Sequence, residues 1–186
     1  MANSGQLFLI VGNSGSGKDS LLKQVLRQWP ASAKPLRIPQ RTITRPPHDS
    51  EPYISVTPEE FFDLNRRDKF CLTWQVYGIY YGVPAEILDW MRQGQHVIVN
   101  VSRDIIHQAR KNMPAPKVIF VKVPLDISLQ RLRLRCREPE TDPAFQQRLQ
   151  RAKDNQVLKD ADFTVDNSGS LETAAGMLLQ YLLSFE

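Results

Sequence analysis

The apolar run Leu7-Phe8-Leu9-Ile10-Val11 leads directly into Gly12-Asn13-Ser14-Gly15-Ser16-Gly17-Lys18-Asp19, and an amphipathic stretch follows. A run of strand length, a glycine-rich loop and a helical pattern in immediate succession restrict the chain to an α/β design. The loop fits the phosphate-binding pattern G-x-x-x-x-G-K-[ST] with one change at its last position. Gly12, Gly15 and Gly17 allow backbone conformations closed to other residues, so successive N–H groups can wrap a phosphate at a helix N-terminus. Asn13, Ser14, Ser16 and Ser20 complete the loop. Lys18 adds a mobile cation able to follow a transferred phosphoryl group. The pattern predicts binding of a nucleoside triphosphate.

The departure is Asp19, where a hydroxyl normally reaches Mg2+. A carboxylate is also a hard oxygen ligand, so Asp19 is expected on the metal, directly or through water. Helix capping is its alternative role. Ser20 is a poorer substitute for the hydroxyl, because one residue turns a helix by about 100° and aims it away from the phosphates.

Composition narrows the function classes. With 186 residues, 41% hydrophobic and 24% charged, the chain reads as one ordinary soluble domain. Its net charge of +4 comes from dispersed basic residues, with no run of five and no RNA-binding signature, so nucleic acid is not expected as a partner. Cys71 and Cys136 lack metal-ligand spacing and fit reduced thiols in a cytoplasmic protein. No signal peptide or membrane span is expected either. His48, His96 and His107 lack ligand spacing to one another.

Apolar runs alternate with helical patterns, which predicts a central parallel sheet flanked by helices. Strands are expected at Gln6–Val11, Val97–Val101, Val118–Val123 and Phe163–Val165, with extended pieces near Arg37–Ile38 and Phe70–Val76. Helices are expected at Ser20–Gln28, Pro58–Asn65, Pro84–Gln93, Asp104–Asn112, Asp126–Arg135, Pro143–Lys159 and Leu171–Phe185. Thr57-Pro58-Glu59-Glu60 carries a capping box, Asp142-Pro143 repeats the cap-plus-proline pattern, Gly94 follows a helix end and Ser170 can cap the last helix. Leu178, Leu182 and Leu183 suit either internal packing or a dimer seam, which leaves the oligomeric state open.

Residues 35–82 hold six of the thirteen prolines and break the alternation; residues 136–142 form a polar crossing between Arg-rich helices. The expected organisation is one domain with a core of 1–34, 83–135 and 143–186, a substrate-binding subdomain at 35–82 and a lid at about 136–142.

Beyond the loop, the order of motifs resembles guanylate kinases over nearly the whole chain. Thr42-Ile43-Thr44-Arg45-Pro46, Tyr53, Gly78-Ile79-Tyr80-Tyr81-Gly82, Val99-Asn100-Val101-Ser102 and the lid stretch Arg131–Arg137 with Arg148 follow in turn. The resemblance implies a P-loop kinase that uses ATP and Mg2+. Two positions that read guanine in those kinases match Thr73 and Ser102 here, while Asn100 stands for a further Asp and His48 for an Arg. A site that loses its base-reading groups loses orders of magnitude on that base. The phosphate-gripping positions Arg45 and Tyr81 remain, with Arg41 nearby.

Gly17-Lys18-Asp19-Ser20, Thr44-Arg45, Tyr80-Tyr81-Gly82-Val83 and Val99-Asn100-Val101-Ser102-Arg103 are similar to the ribose 1,5-bisphosphate phosphokinase family of phosphonate breakdown. That resemblance implies ATP-dependent phosphorylation of the 1-phosphate of ribose 1,5-bisphosphate to 5-phosphoribosyl 1-diphosphate. It implies Lys18, Arg135, Arg137 and Arg148 on the transferring group. Arg41, Arg45, Tyr53, Tyr81, Asn100, Ser102 and Arg103 would bind the acceptor. A carboxylate has in effect moved from the Asn100 position to Asp19, which keeps the local charge balanced. The competing readings are a guanylate or other nucleoside monophosphate kinase and a non-catalytic binding module. Arg131, Arg133 and Arg151 suit solvated charges equally well, and Trp29, Trp74 and Trp90 read as packing residues. Neighbours on a strand face opposite ways, so only one of Tyr80 and Tyr81 meets ligand, and the motif favours Tyr81.

Overall fold

The computed structural model describes residues 4–47, 52–135, 141 and 143–186. The expected lid at 136–142 lies outside the described residues except for Thr141, and so do Cys136, Arg137, His48 and the expected cap Asp142. The chain divides into two compact units, Met1–Leu9 with Ala31–Pro116 and Ile10–Pro30 with Lys117–Glu186. Strand β1 (Leu7–Val11) belongs to both, and all five of its residues are buried, the continuous apolar run of a strand covered on both faces. The larger sheet has the strand order β2-β7-β1-β8-β9, in which β2 and β7, and likewise β8 and β9, run parallel.

In the first unit, β2 (Leu36–Arg37) lies parallel to β7 (His96–Asn100), with Leu36 opposite His96. His96 is fully buried. Its Nδ1 accepts the Gln6 amide at 2.9 Å, which holds the proton on Nε2, and its ring meets Phe8 edge-on at 5.9 Å. A second sheet runs β4-β3-β6-β5, from Ile54–Ser55, Thr42–Ile43, Ile79–Pro84 and Phe70–Val76 respectively. Strands β5 and β6 form an antiparallel hairpin through Tyr77 and Gly78, whose φ values of 52° and 77° are those of a two-residue hairpin turn. Because β6 extends to Pro84, helix α3 (Ile87–Arg92) begins three residues later than expected; Ala85 N–H bonds Lys69 O instead of entering a helix.

Helix α2 (Pro58–Arg66) covers one face of this sheet. Thr57 and Glu60 close the expected capping box, with the Thr57 amide on the Glu60 carboxylate at 2.8 Å and the Glu60 amide on Thr57 Oγ1 at 3.2 Å. Phe61 is buried against Phe70 at 4.9 Å and Tyr80 at 5.6 Å, and Phe62 meets Tyr80 at 4.9 Å. A Cβ on Gly82 would come within 2.7 Å of the Phe70 ring, so this position needs a glycine. After β7 the chain makes a 3-10 turn, Arg103–Ile105, before α4 (Ile106–Asn112), where one continuous helix was expected.

In the second unit, β8 (Lys117–Lys122) and β9 (Phe163–Asp166) are parallel neighbours, and α1 (Lys18–Gln28) packs against α7 (Leu171–Leu183). Leu178 and Leu182 of α7 are fully buried within the chain, which decides for internal packing at those two positions. Ser170 caps α7 by accepting the Thr173 amide at 3.2 Å. Helices α5 (Leu125–Arg135) and α6 (Pro143–Asp154) complete the unit. Helix α6 ends five residues before the expected Lys159. Its closing carbonyls are taken by side chains: Gln156 Nε2 donates to Ala152 O, and Asn13 donates to Ala152 O and Asn155 O.

Candidate active site

The glycine-rich loop of the second unit has the geometry its sequence implies. Gly15 and Gly17 sit at φ 82° and 84°, and a Cβ on Gly12 would lie 2.8 Å from both Val121 O and Ser16 Oγ. The loop closes on itself through Ser16 N–H to Asn13 O at 3.0 Å. Gly17 is the N-cap of α1 and, as a glycine, gives that end no side-chain cap, and a helix N-terminus at the end of such a loop suits an anion. Asp19 lies in the first turn of α1 and is not its cap. Lys18 folds back over the loop, with Nζ 2.7 Å from Gly12 O, 3.3 Å from Asn13 O and 3.4 Å from Ser16 Oγ. Ser14 is exposed at the rim, and Asn13 ties the loop to the end of α6, the helix that carries half-buried Arg148.

The loop opens into a pocket of about 350 Å3. Gly15, Gly17 and Ser20 line one side, Arg131 and Leu134 of α5 another, and Asn167, Gly169 and Leu171 the rest. Asn167 organises this corner and was not legible in the sequence. It is 3% exposed; its Nδ2 donates to Ser16 O at 2.8 Å while its own carbonyl accepts both Nη atoms of Arg131, at 3.3 and 3.2 Å. A Cβ on Gly17 would fall 2.5 Å from that same Asn167 amide, so the loop glycine and the asparagine fit as a pair. Arg131 is therefore held in the pocket and is not a solvated charge. Just before Asn167, the Ser168 hydroxyl and amide hold the Asp166 carboxyl below the usual carboxylate range, with Lys122 adding to the effect. Arg135 closes α5 as expected, and its side chain lies outside the described residues.

The cradle suits the phosphates of a nucleoside triphosphate, and the pocket suits its nucleoside. Among the described residues no group of three or more His, Cys, Asp or Glu side chains is placed to cage a metal. The Asp19 carboxylate, in the first turn of α1, is a hard oxygen donor of the kind that suits a Mg2+ keeping water and phosphate oxygens as its other ligands.

The other candidate residues lie in the first unit, on a single sheet face. The register places Ser55 beside Ile43, Ile43 opposite Tyr81 and Tyr81 opposite Trp74, forming one row across β4, β3, β6 and β5. Side chains two residues apart share a face, so Arg41 and Arg45 flank Ile43, and Tyr53 joins Ser55. The contacts agree. Arg45 Cζ lies 4.8 Å from the Tyr53 ring centroid, with Nε 3.2 Å from the Tyr53 hydroxyl, which donates to Pro46 O. Arg41 Cζ lies 5.9 Å from the Tyr81 ring, and its Nη1 donates to Asn100 O at 2.8 Å. Tyr80 points the opposite way, into the α2 aromatic cluster, as the one-of-two argument required.

Thr73 pairs with Gly82, on the face that α2 covers. The side chain beside Tyr81 is Trp74, stacked on it at 5.2 Å and 5°. The two-residue turn at Tyr77-Gly78 sets this pairing, from Val76 opposite Ile79 back to Leu72 opposite Val83, and the register shifts only beyond it, towards Phe70. Ser102 turns its hydroxyl to Asp104 Oδ2 at 2.8 Å, and half-buried Arg103 opens the 3-10 turn after it.

The guanylate kinase family model matches residues 4–184. The chain is 37% identical to a ribose 1,5-bisphosphate phosphokinase PhnN of Acidiphilium cryptum, over 98% of this chain and 95% of that one. It is 38% identical to the protein of the same name from Pseudomonas paraeruginosa, over 96% of each. A guanylate kinase crystal structure from Anaplasma phagocytophilum superposes with a TM-score of 0.72 at 18% identity, covering 97% of this chain and 86% of that one, a likeness of fold. With its phosphate cradle intact, this chain belongs to the guanylate kinase family, among the ribose 1,5-bisphosphate phosphokinases.

Proposed function

We propose that this chain transfers the γ-phosphoryl group of ATP to the 1-phosphate of ribose 1,5-bisphosphate, giving 5-phosphoribosyl 1-diphosphate and ADP. The observation that carries the reading is the sheet face on which Arg41, Arg45, Tyr53 and Tyr81 converge: two guanidinium groups and two phenols suit a phosphorylated acceptor. Beside Tyr81 that face presents the stacked indole of Trp74. The relatives named above carry this activity in their names.

The chemistry needs no general base. A phosphate monoester with a second pKa near about 6 is already an oxyanion at neutral pH. One of its oxygens attacks the γ-phosphorus, the bond from that phosphorus to the β–γ bridging oxygen breaks, and ADP leaves with the electron pair. What remains for the protein is alignment and charge neutralisation. Lys18 would leave its loop carbonyls for the β and γ oxygens. Residues 12–20 would cradle the phosphates, and Arg131, Leu134 and Asn167 would hold the nucleoside. Mg2+ bound beside Asp19 would supply charge neutralisation on the donor phosphates. Arg135, Arg137 and Arg148 would face the transferring group, with residues 136–142 as the lid over it. Arg41 and Arg45 would grip the acceptor phosphates, with Tyr53 and Tyr81 orienting them, and Asn100, Ser102 and Arg103 would face the ribose or a phosphate. The test is a coupled ADP-release assay with ATP and Mg2+, run on ribose 1,5-bisphosphate and on GMP in parallel. Turnover on the sugar bisphosphate with little on GMP is expected; turnover on GMP alone would overturn the reading.

A further inference from the structure

We infer that Trp74 is a specificity-determining residue of the acceptor site, a surface against which the ribose of the acceptor lies; this rests on the acceptor reading above. Three observations converge on it. The register fixes Trp74 on the face shared by Arg41, Arg45, Tyr53 and Tyr81, not on the face that α2 covers. Its ring is parallel to Tyr81, 5.2 Å away, while Arg41 reaches the same tyrosine ring at 5.9 Å and is itself tied to Asn100 O. Trp74 also keeps part of its surface open, whereas Leu72 and Val83, the next pair along that face, are buried.

Trp74 therefore ends the row on edge strand β5, part-open and one side chain removed from Ile43 and the arginines that flank it. An indole face is apolar and π-rich, which suits the polarised C–H face of a furanose whose charges lie at its two phosphate ends. It offers nothing to the polar edge of a base, whose donors and acceptors would remain unpaired beside it. Arg41 and Arg45 would then take the phosphates, while Trp74 and Tyr81 would wall the sugar on the β5 side of the face. Tyr81 is braced by the same stack.

The test compares wild type with Trp74→Phe and Trp74→Ala, using the whole chain. KM for ribose 1,5-bisphosphate should rise about tenfold in Trp74→Ala with kcat and the KM for ATP little changed, and Trp74→Phe should recover most of the loss. A second readout does not depend on the alanine variant folding. In a Trp29→Phe/Trp90→Phe background the emission comes from Trp74, and it should change on titration with ribose 1,5-bisphosphate but not with GMP. Wild type turning over the sugar bisphosphate, together with an unmoved KM in folded Trp74→Ala or a silent Trp74 emission, would overturn this inference and leave the activity standing. Wild type failing on the sugar bisphosphate would overturn both.

Discussion

At the scale of single residues, charge and burial divide the work. Lys18 is the one flexible cation built into the glycine-rich loop, so Lys18→Ala should lower kcat by about 10²–10³-fold while leaving the melting temperature of the free protein close to wild type. Steady-state kinetics and a thermal scan check both halves. Asn167 serves two masters, the Ser16 carbonyl and Arg131, from a buried position. Asn167→Ala should cost about 1–3 kcal/mol in denaturant unfolding and raise the KM for ATP, with no matching change for the acceptor. Burial pushes the Cys71 thiol from 9.0 to about 11. Below 9 both the folded and unfolded states hold that proton. Between 9 and 11 the unfolded state releases it first, so stability falls with rising pH and levels off above. Cys71→Ser should remove that decline, a difference read from urea midpoints across the range.

At the scale of elements, two joints decide whether the acceptor face exists. The capping box of α2 sets that helix over the sheet, and Thr57→Ala should cost about 1 kcal/mol without altering either KM. Gly82 is the more sensitive joint because its missing side chain leaves room for Phe70. Gly82→Ala should destabilise by about 1–3 kcal/mol and, by shifting β6 next to Tyr81, also weaken the acceptor; equal stability and kinetics would show that the Phe70 ring simply moves aside. Most elements were legible because their signals are local: the apolar run of β1, the capping box, the Ser170 cap and the seven helical stretches. Strands β3 and β4, two residues each, carry too little periodicity to be read, and β6 was masked by a hairpin turn built on Tyr77 where Asn or Asp is usual.

At the scale of the whole molecule, the residues proposed for the donor and those proposed for the acceptor fall in different compact units. Mg·ATP at 100 times its dissociation constant should raise the apparent stability by about 2.7 kcal/mol, and hydrogen exchange should place its protection at residues 12–22 and 167–171 of the second unit. A catalytically inert binding module would show neither effect. The sugar bisphosphate alone should instead protect segments around Arg41, Tyr53, Trp74 and Tyr81.

What the chain's sequence determined by itself is what short-range order encodes. A buried strand, a loop of three glycines and a lysine predict the α/β core and an anion cradle whatever surrounds them, and the resemblance to guanylate kinases singles out Arg45 and Tyr81, with Arg41 nearby, as candidates. Tertiary structure decided which face of each strand stayed open and which distant groups met. Alternation along β5 says that Thr73 and Trp74 oppose each other. Only the pairing with β6 and the covering of one face by α2 say that Trp74 is the one left beside Tyr81. Asn167 likewise reaches Ser16 across 151 residues of sequence. Its hydrogen bond depends on the parallel pairing of β9 with β8 and on the loop that turns into α7, and long-range pairing of that kind leaves no periodic trace in the chain.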